Sequence, residues 1–163
     1  MVYEDNLKML KSKYRVIYDA ISSEKGMELP TNVRVEAARK EGDVVVYHNH
    51  NKDVYLNSQY NPNNEANRYM AENFDMQDES ILIMFGLSNG YYADAYIKNA
   101  KENTKCIIYE PSKEIFAEVI KHIDIKNLLL SDRIYIVVEG INDEDLTYIM
   151  DEWLQIYNAD YNK

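Results

Sequence analysis

Cysteine is nearly absent from this chain of 163 residues, which contains only Cys106, inside the apolar run CIIYE. A single cysteine excludes an intramolecular disulfide. Its apolar neighbours indicate a buried strand thiol rather than a reactive one. With 46% hydrophobic residues, the chain is long enough to form one compact domain with its own core.

Positive charge is also scarce, because 18 Lys and Arg stand against 28 Asp and Glu, a formal net charge of -10. An acidic surface repels the phosphates of nucleic acids and, more weakly, anionic lipid. No apolar run approaches the ~18 residues that cross a bilayer. The acidic start MVYEDNLKML also lacks the apolar core of a signal peptide. We therefore expect a cytoplasmic protein with neither a nucleic-acid nor a membrane partner.

The N-terminal segment has apolar residues at steps of three and four, which predicts a helix over residues 4–22. Its stripe consists of Leu7, Leu10, Tyr14, Ile17 and Ile21. Such a helix lies on the body of the protein or docks on another copy, which would give a homo-oligomer through this helix. Gly26 and Pro30 then end the helix, so that residues 1–30 form an N-terminal helix and linker.

Residues 31–58 carry short alternating segments separated by turns, namely VRVEAA, KEGD, VVVYHNH, NKD and VYLNS. This pattern predicts an antiparallel meander of three strands. His48 and His50 would share one face of a strand, as metal ligands do. No Cys, Asp or Glu with ligand spacing accompanies them, so we interpret the pair as a solvated strand end. We expect no metal and no other cofactor.

Residues 59–163 alternate helical and strand patterns within the same single domain. Asn61 can cap a helix that begins at Pro62, with a buried stripe of Ala66, Tyr69, Met70 and Phe74. The strands are apolar throughout, as parallel strands covered on both faces are. We expect them near 81–86, 105–109 and 134–138, with helices over 90–102, from Ser112, and over 143–157. The fold class is therefore α/β, a Rossmann-like half sheet of three parallel strands with flanking helices, preceded by the helix and the meander.

The turn after the first parallel strand has the order of a nucleotide site. Gly86 ends the strand, Gly90 begins the helix, and Glu110 ends the next strand twenty residues later. In Rossmann-type sites the turn approaches phosphate and the acid binds ribose. Here the pattern is G-x-x-x-G, and Ser88 adds a Cβ where a ligand would approach. Gly86, Ser88, Gly90 and Glu110 are thus candidate nucleotide-binding residues, or they form only a tight turn and a strand-end acid.

No catalytic constellation is evident from the spacing of His48, His50 and His122, which lie far apart in the sequence. We therefore assign no catalytic residue within this chain.

Several segments resemble one protein family. The stretch Ser58-x-Tyr60-x-Pro62 leads into a helix with Glu65 and Arg68, Gly90-Tyr91 closes the glycine turn, and Glu110-Pro111 follows the next strand. Across residues 53–140 these motifs resemble the N-terminal region of the motility accessory factor (Maf) flagellin glycosyltransferases, of the six-hydroxymethylpterin pyrophosphokinase-like superfamily. The chain departs from the family at Ser88, where glycine is usual.

The resemblance implies a bacterial protein whose family transfers nonulosonic acids from a CMP-activated donor to Ser or Thr of flagellin. The family's catalytic region lies in a following domain, so no catalytic residue carries over to this chain. We therefore expect the N-terminal part of a longer protein, with the remainder of the glycosyltransferase and flagellin as partners. The alternative is an S-adenosylmethionine methyltransferase-like domain, which has the same order of strand, glycine turn, helix, strand and acid.

Overall fold

The computed structural model describes residues 1–23, 32–73 and 79–161, which form an α/β fold with two three-stranded sheets. The first sheet, within residues 33–55, is antiparallel, and the second, within residues 81–138, is parallel; in both, the strands lie side by side in the order of the sequence. Residues of both sheets and of most helices share one buried core, and the last helix packs through Ile149 and Trp153 in a second, smaller cluster with Ile107 and Val137. The predicted meander, parallel strands and flanking helices are confirmed.

The strands are β1 (Val33–Ala37), β2 (Asp43–Asn49), β3 (Lys52–Tyr55), β4 (Ile81–Phe85), β5 (Lys105–Glu110) and β6 (Ile134–Val138). The helices are α1 (Val2–Lys13), α2 (Arg15–Ser22), α3 (Pro62–Asn73), α4 (Tyr91–Asn99), α5 (Lys113–His122), α6 (Lys126–Leu130) and α7 (Glu144–Tyr161). Within the described ranges, no helix combines the length and apolar content needed to cross a membrane.

The N-terminal segment forms two helices instead of one, because the chain leaves helical geometry at Tyr14 (φ -124°, ψ 62°). The Tyr14 hydroxyl donates to the Ile134 carbonyl (3.3 Å) and accepts from the Ile136 N–H (3.2 Å), so this side chain reaches β6. Leu10, Ile17 and Ile21 of the stripe are buried within the chain as well, and Leu7 is half-buried. The predicted helix therefore breaks at Tyr14, the residue whose side chain contacts a strand distant in the sequence.

A buried amide connects α1 to the neighbouring helices α5 and α6. The Asn6 Nδ2 donates to the carbonyls of Ile120 (2.9 Å) and Ile123 (2.7 Å), and its Oδ1 accepts from the Ile125 N–H (3.2 Å). These backbone groups lie at the end of α5 and before α6. Asn6 thus satisfies helix-end groups that α5 and α6 leave open.

The predicted cap at Asn61 is confirmed, and Ser112, at which the next helix was expected to begin, caps that helix as well. The Asn61 Oδ1 accepts from the Asn64 N–H (2.9 Å) as α3 begins at Pro62, and the Ser112 Oγ accepts from the Ile115 N–H (3.2 Å) at α5. Short polar side chains satisfy the first free N–H groups of a helix in this way.

Other boundaries differ from the prediction. Helix α4 ends at Asn99 rather than 102, and the guanidinium of Arg133 binds the carbonyls of the turn that follows. Helix α6 was not predicted, since a short apolar run does not distinguish helix from strand. Tyr69 is 47% exposed rather than part of the α3 stripe. Gly26, Pro30 and Phe74 lie outside the described residues.

Candidate functional site

The turn between β4 and α4 lies where the parallel strands end, the edge at which α/β sheets bind ligands. Gly86, Ser88 and Gly90 all have positive φ, at 96°, 50° and 83°. A Cβ on Gly90 would lie 3.1 Å from the Leu128 side chain, whereas a Cβ on Gly86 would meet nothing within 4 Å. Packing against α6 therefore excludes a side chain at Gly90, while Gly86 borders open space.

Glu110 points back into this turn from the end of β5. Its Oε1 accepts from the N–H groups of Leu87 (3.1 Å) and Ser88 (3.3 Å), and its Oε2 accepts from the Ser112 N–H (2.9 Å). The side chain is only 2% exposed. Burial raises the pKa of Glu110 above its usual value, although the three hydrogen bonds act in the opposite direction. The carboxylate thus ties the glycine turn to the end of the next strand.

The buried residue Asn89 provides a hydrogen-bond acceptor for the backbone at the start of α4 in a similar way. Its Oδ1 accepts from the Tyr91 N–H (3.1 Å), and its Nδ2 donates to the Asp43 carbonyl (3.0 Å) of the meander. The Gly90 N–H bonds the Leu87 carbonyl (2.9 Å). Several N–H groups that would meet a phosphate in a nucleotide site therefore have partners within the chain.

The Ser88 side chain is directed toward the meander. Its Oγ accepts from the Nδ2 of Asn57 (3.0 Å), and the Oδ1 of Asn57 accepts from the Val45 N–H (3.2 Å). We had expected the Ser88 side chain near the path of a ligand. In the structure it is part of a chain of hydrogen bonds that joins the turn to β2.

Three of the residues that carry the Maf resemblance, Ser58, Tyr60 and Glu65, form one local unit with Asn61. The Ser58 Oγ accepts from the N–H groups of Tyr60 (3.2 Å) and Asn61 (3.3 Å), and Glu65 accepts from the Ser58 N–H (2.9 Å). This unit connects β3 to α3. Arg68 lies outside it, on the exposed side of α3, 3.9 Å from Glu72.

A groove with a cavity of about 640 Å³ opens beside Gly86, a volume within the range of small-molecule sites. Its lining is mostly apolar and includes the side chains of Leu56, Tyr69 and Tyr92. The lining residues with polar side-chain groups are Asn57, Ser88 and Glu110, which are engaged in the contacts above, and the two tyrosines. The spacing of the glycines did not reveal this groove, because its walls come from the segment after β3 and from α3, β4, α4, the end of β5 and α5.

The histidines are not brought together. His48 lies 2.9 Å from Asp53, which also binds Arg34, and these hydrogen bonds lower the pKa of the Asp53 carboxyl. His50 lies in the β2–β3 turn, and His122 contacts Glu118 at the end of α5. In the parts of the chain that the structure describes, no three His, Cys, Asp or Glu side chains are placed to hold a metal.

Cys106 is fully buried in β5, as predicted, and burial raises the pKa of its thiol to about 12. A thiol with so high a pKa is almost wholly protonated at neutral pH, and the thiolate is the nucleophilic form. The structure therefore places Cys106 in the core rather than in a reactive site.

No protein-family model, curated protein or solved structure matches this chain. The resemblance to Maf proteins thus depends on the motif residues alone, and the turn and the groove provide the independent basis for a functional proposal.

Proposed function

We propose that this chain is a non-catalytic, Rossmann-like domain of a Maf-type flagellin glycosyltransferase, whose glycine turn serves as a structural element. The observation that carries the proposal is the set of three hydrogen bonds that Glu110 accepts from the backbone N–H groups of Leu87, Ser88 and Ser112. In a nucleotide site the corresponding acid would be directed at ribose. Here the same carboxylate stabilises the turn itself.

The charge of the molecule agrees with a structural role for the turn. A polyphosphate would approach a protein of net charge -10, and the N–H groups of Leu87, Ser88 and Tyr91 already have acceptors. To bind there, the ligand would have to displace Glu110 and Asn89. Leaving a buried carboxylate without its partners costs several kcal/mol, which weakens any such ligand.

The local unit around Ser58 and Glu65 supports the family assignment. A motif whose members bond one another is expected to be retained as a group, because losing one leaves a partner unsatisfied. The side chains of Ser58 and Glu65 form such a group, in which Tyr60 takes part through its backbone N–H. The same assignment implies a cytoplasmic bacterial protein, with the remainder of the glycosyltransferase chain and flagellin as its partners.

The proposal is tested in the source bacterium by deleting the coding region for this chain and measuring the intact mass of flagellin. A loss of mass that equals one or more nonulosonic acids is expected, together with reduced motility. Unchanged flagellin mass would contradict the family assignment. In vitro, the isolated chain with a CMP-nonulosonate and flagellin should add no mass, and a sugar adduct would show that this domain is itself catalytic.

A second candidate function is the binding of a nucleoside such as S-adenosylmethionine, which the open groove beside Gly86 and Tyr92 favours. Titration calorimetry with S-adenosylmethionine, CMP and NAD separates the two functions. We expect no binding tighter than millimolar. A micromolar dissociation constant that rises at least tenfold in Glu110→Gln, with unchanged circular dichroism, would establish a working nucleoside site instead.

A further inference from the structure

The outer edge of β4 has no partner strand among the residues that the structure describes. On the inner side, the Gly86 N–H bonds the Tyr109 carbonyl and the Lys105 N–H bonds the Ser80 carbonyl, so the even-numbered residues face β5. The N–H and carbonyl groups of Ile81, Ile83 and Phe85 therefore point outward. Such an edge is a template for another strand.

The side chains of this edge are apolar and exposed. Ile83 is 54% exposed and Phe85 is 76% exposed, although parallel strands are normally covered on both faces. The segment SILIMFGLSNG has no charge and no proline, the features by which proteins usually protect an edge strand. The groove described above runs along this strand, since four consecutive β4 residues, 82–85, line it.

We infer that two copies of this chain associate through β4, with the two strands antiparallel and related by a two-fold axis at Ile83. In this register Ile83 faces Ile83 of the second copy, and Ile81 faces Phe85. These are the residues whose backbone groups point outward, so three hydrogen-bonded pairs would form across the axis. The two parallel sheets would then form one continuous six-stranded sheet.

The exposed apolar area approaches, without reaching, that of a standard interface, which fits a reversible dimer. At about 200 Å² per aromatic side chain, Phe85 and Tyr69 together expose about 250 Å² per copy. Ile83 and Leu56 add about 100 Å². A standard interface buries about 800 Å² per partner, a little over half of it apolar. The four side chains therefore provide about three quarters of the apolar area that a stable dimer requires.

Charge also distinguishes this edge from the rest of the surface. Each copy carries a net charge of -10, so two copies repel one another at long range, and the uncharged edge is where contact costs least. Because salt screens this repulsion, dimerisation should strengthen as ionic strength rises. An interface built on ion pairs would show the opposite trend.

Sedimentation equilibrium of the purified chain tests the inference. We expect a reversible dimer, and Ile83→Lys should raise its dissociation constant at least tenfold, because two lysines would meet at the axis. The control is Val16→Lys on α2, since Val16 is also exposed, at 56%, but lies on a different element. A chain that stays monomeric at high concentration and high salt would overturn the inference. So would a dimer that survives Ile83→Lys or that Val16→Lys weakens equally.

A cysteine variant tests the register. Hydrogen-bonded antiparallel pairs have Cα atoms about 5.5 Å apart, a distance that a disulfide can span. Ile83→Cys should therefore form a covalent dimer on mild oxidation, whereas Val16→Cys should not, and the buried Cys106 does not compete. Failure of Ile83→Cys to cross-link in samples shown to be dimeric would refute the two-fold pairing at this residue.

Discussion

Removing the Glu110 side chain should destabilise the protein by leaving its three backbone donors without an acceptor. The Leu87 N–H belongs to a buried residue and bears the full cost of an unsatisfied group, about 1–3 kcal/mol. Ser88 and Ser112 are half-buried, so water from the groove can replace part of their bonds. We expect Glu110→Ala to lower the free energy of unfolding by about 2–4 kcal/mol.

Glu110→Gln separates the contribution of the hydrogen bonds to stability from the contribution of the charge. A glutamine oxygen can still accept hydrogen bonds from the Leu87 and Ser88 N–H groups, but its NH2 group would face the Ser112 N–H. One hydrogen bond is therefore lost, which should lower the stability by about 1 kcal/mol. Burial raises the folded pKa of Glu110 above its usual 4.5, so the folded state binds this proton more tightly than the unfolded chain does.

The sign of the pH dependence follows from that shift. As the pH falls from the raised folded pKa toward 4.5, the wild type should gain stability relative to Glu110→Gln, and the gain should be complete below 4.5. The stability difference between the two proteins should therefore increase on acidification and be smallest at neutral pH. Taking the difference cancels the other carboxyl groups, which both proteins share.

Urea unfolding at several pH values between 4 and 8, followed by circular dichroism, measures both effects. Glu102→Ala is the matched control, because Glu102 is exposed in the turn after α4, and its effect should stay within about 0.5 kcal/mol. A loss below 1 kcal/mol in Glu110→Ala would refute the structural role of this carboxylate. A deficit of Glu110→Gln that shrinks on acidification would refute the assigned direction of the pKa shift.

Two further predictions concern the core. Asn6→Ala should lower the free energy of unfolding by about 2–4 kcal/mol, because it leaves three backbone groups at the α5–α6 connection without hydrogen-bond partners. The exposed Asn73→Ala is the control and should cost less than about 1 kcal/mol. Equal effects of the two substitutions in urea unfolding would contradict this prediction. The Cys106 thiol should not react with a disulfide reagent at pH 8 in the native protein, and it should react fully in urea. Rapid labelling of the native protein would contradict the prediction, because it would show that the thiol is accessible.

The local elements of this protein could be predicted because each depends on residues close together in the chain. Alternation predicted the meander, and continuous apolar runs predicted the three parallel strands. The expected cover on both faces is wrong for β4, which exposes Ile83 and Phe85 at the edge of the sheet. The predicted cap at Asn61 requires only a short polar side chain three residues before a free N–H. The positions of Gly86, Gly90 and Glu110 at the ends of these elements followed from the same patterns.

Tertiary contacts decided the features on which the proposed function depends. Tyr14 reaches β6 across 120 residues of sequence, and Asn6 reaches the end of α5 across 117, distances at which no local pattern carries information. The spacing of Glu110 from the glycines is the same whether its carboxylate is directed at a ribose or at its own turn. Only packing determines that it bonds Leu87 and Ser88, because burial makes any backbone N–H without an acceptor costly.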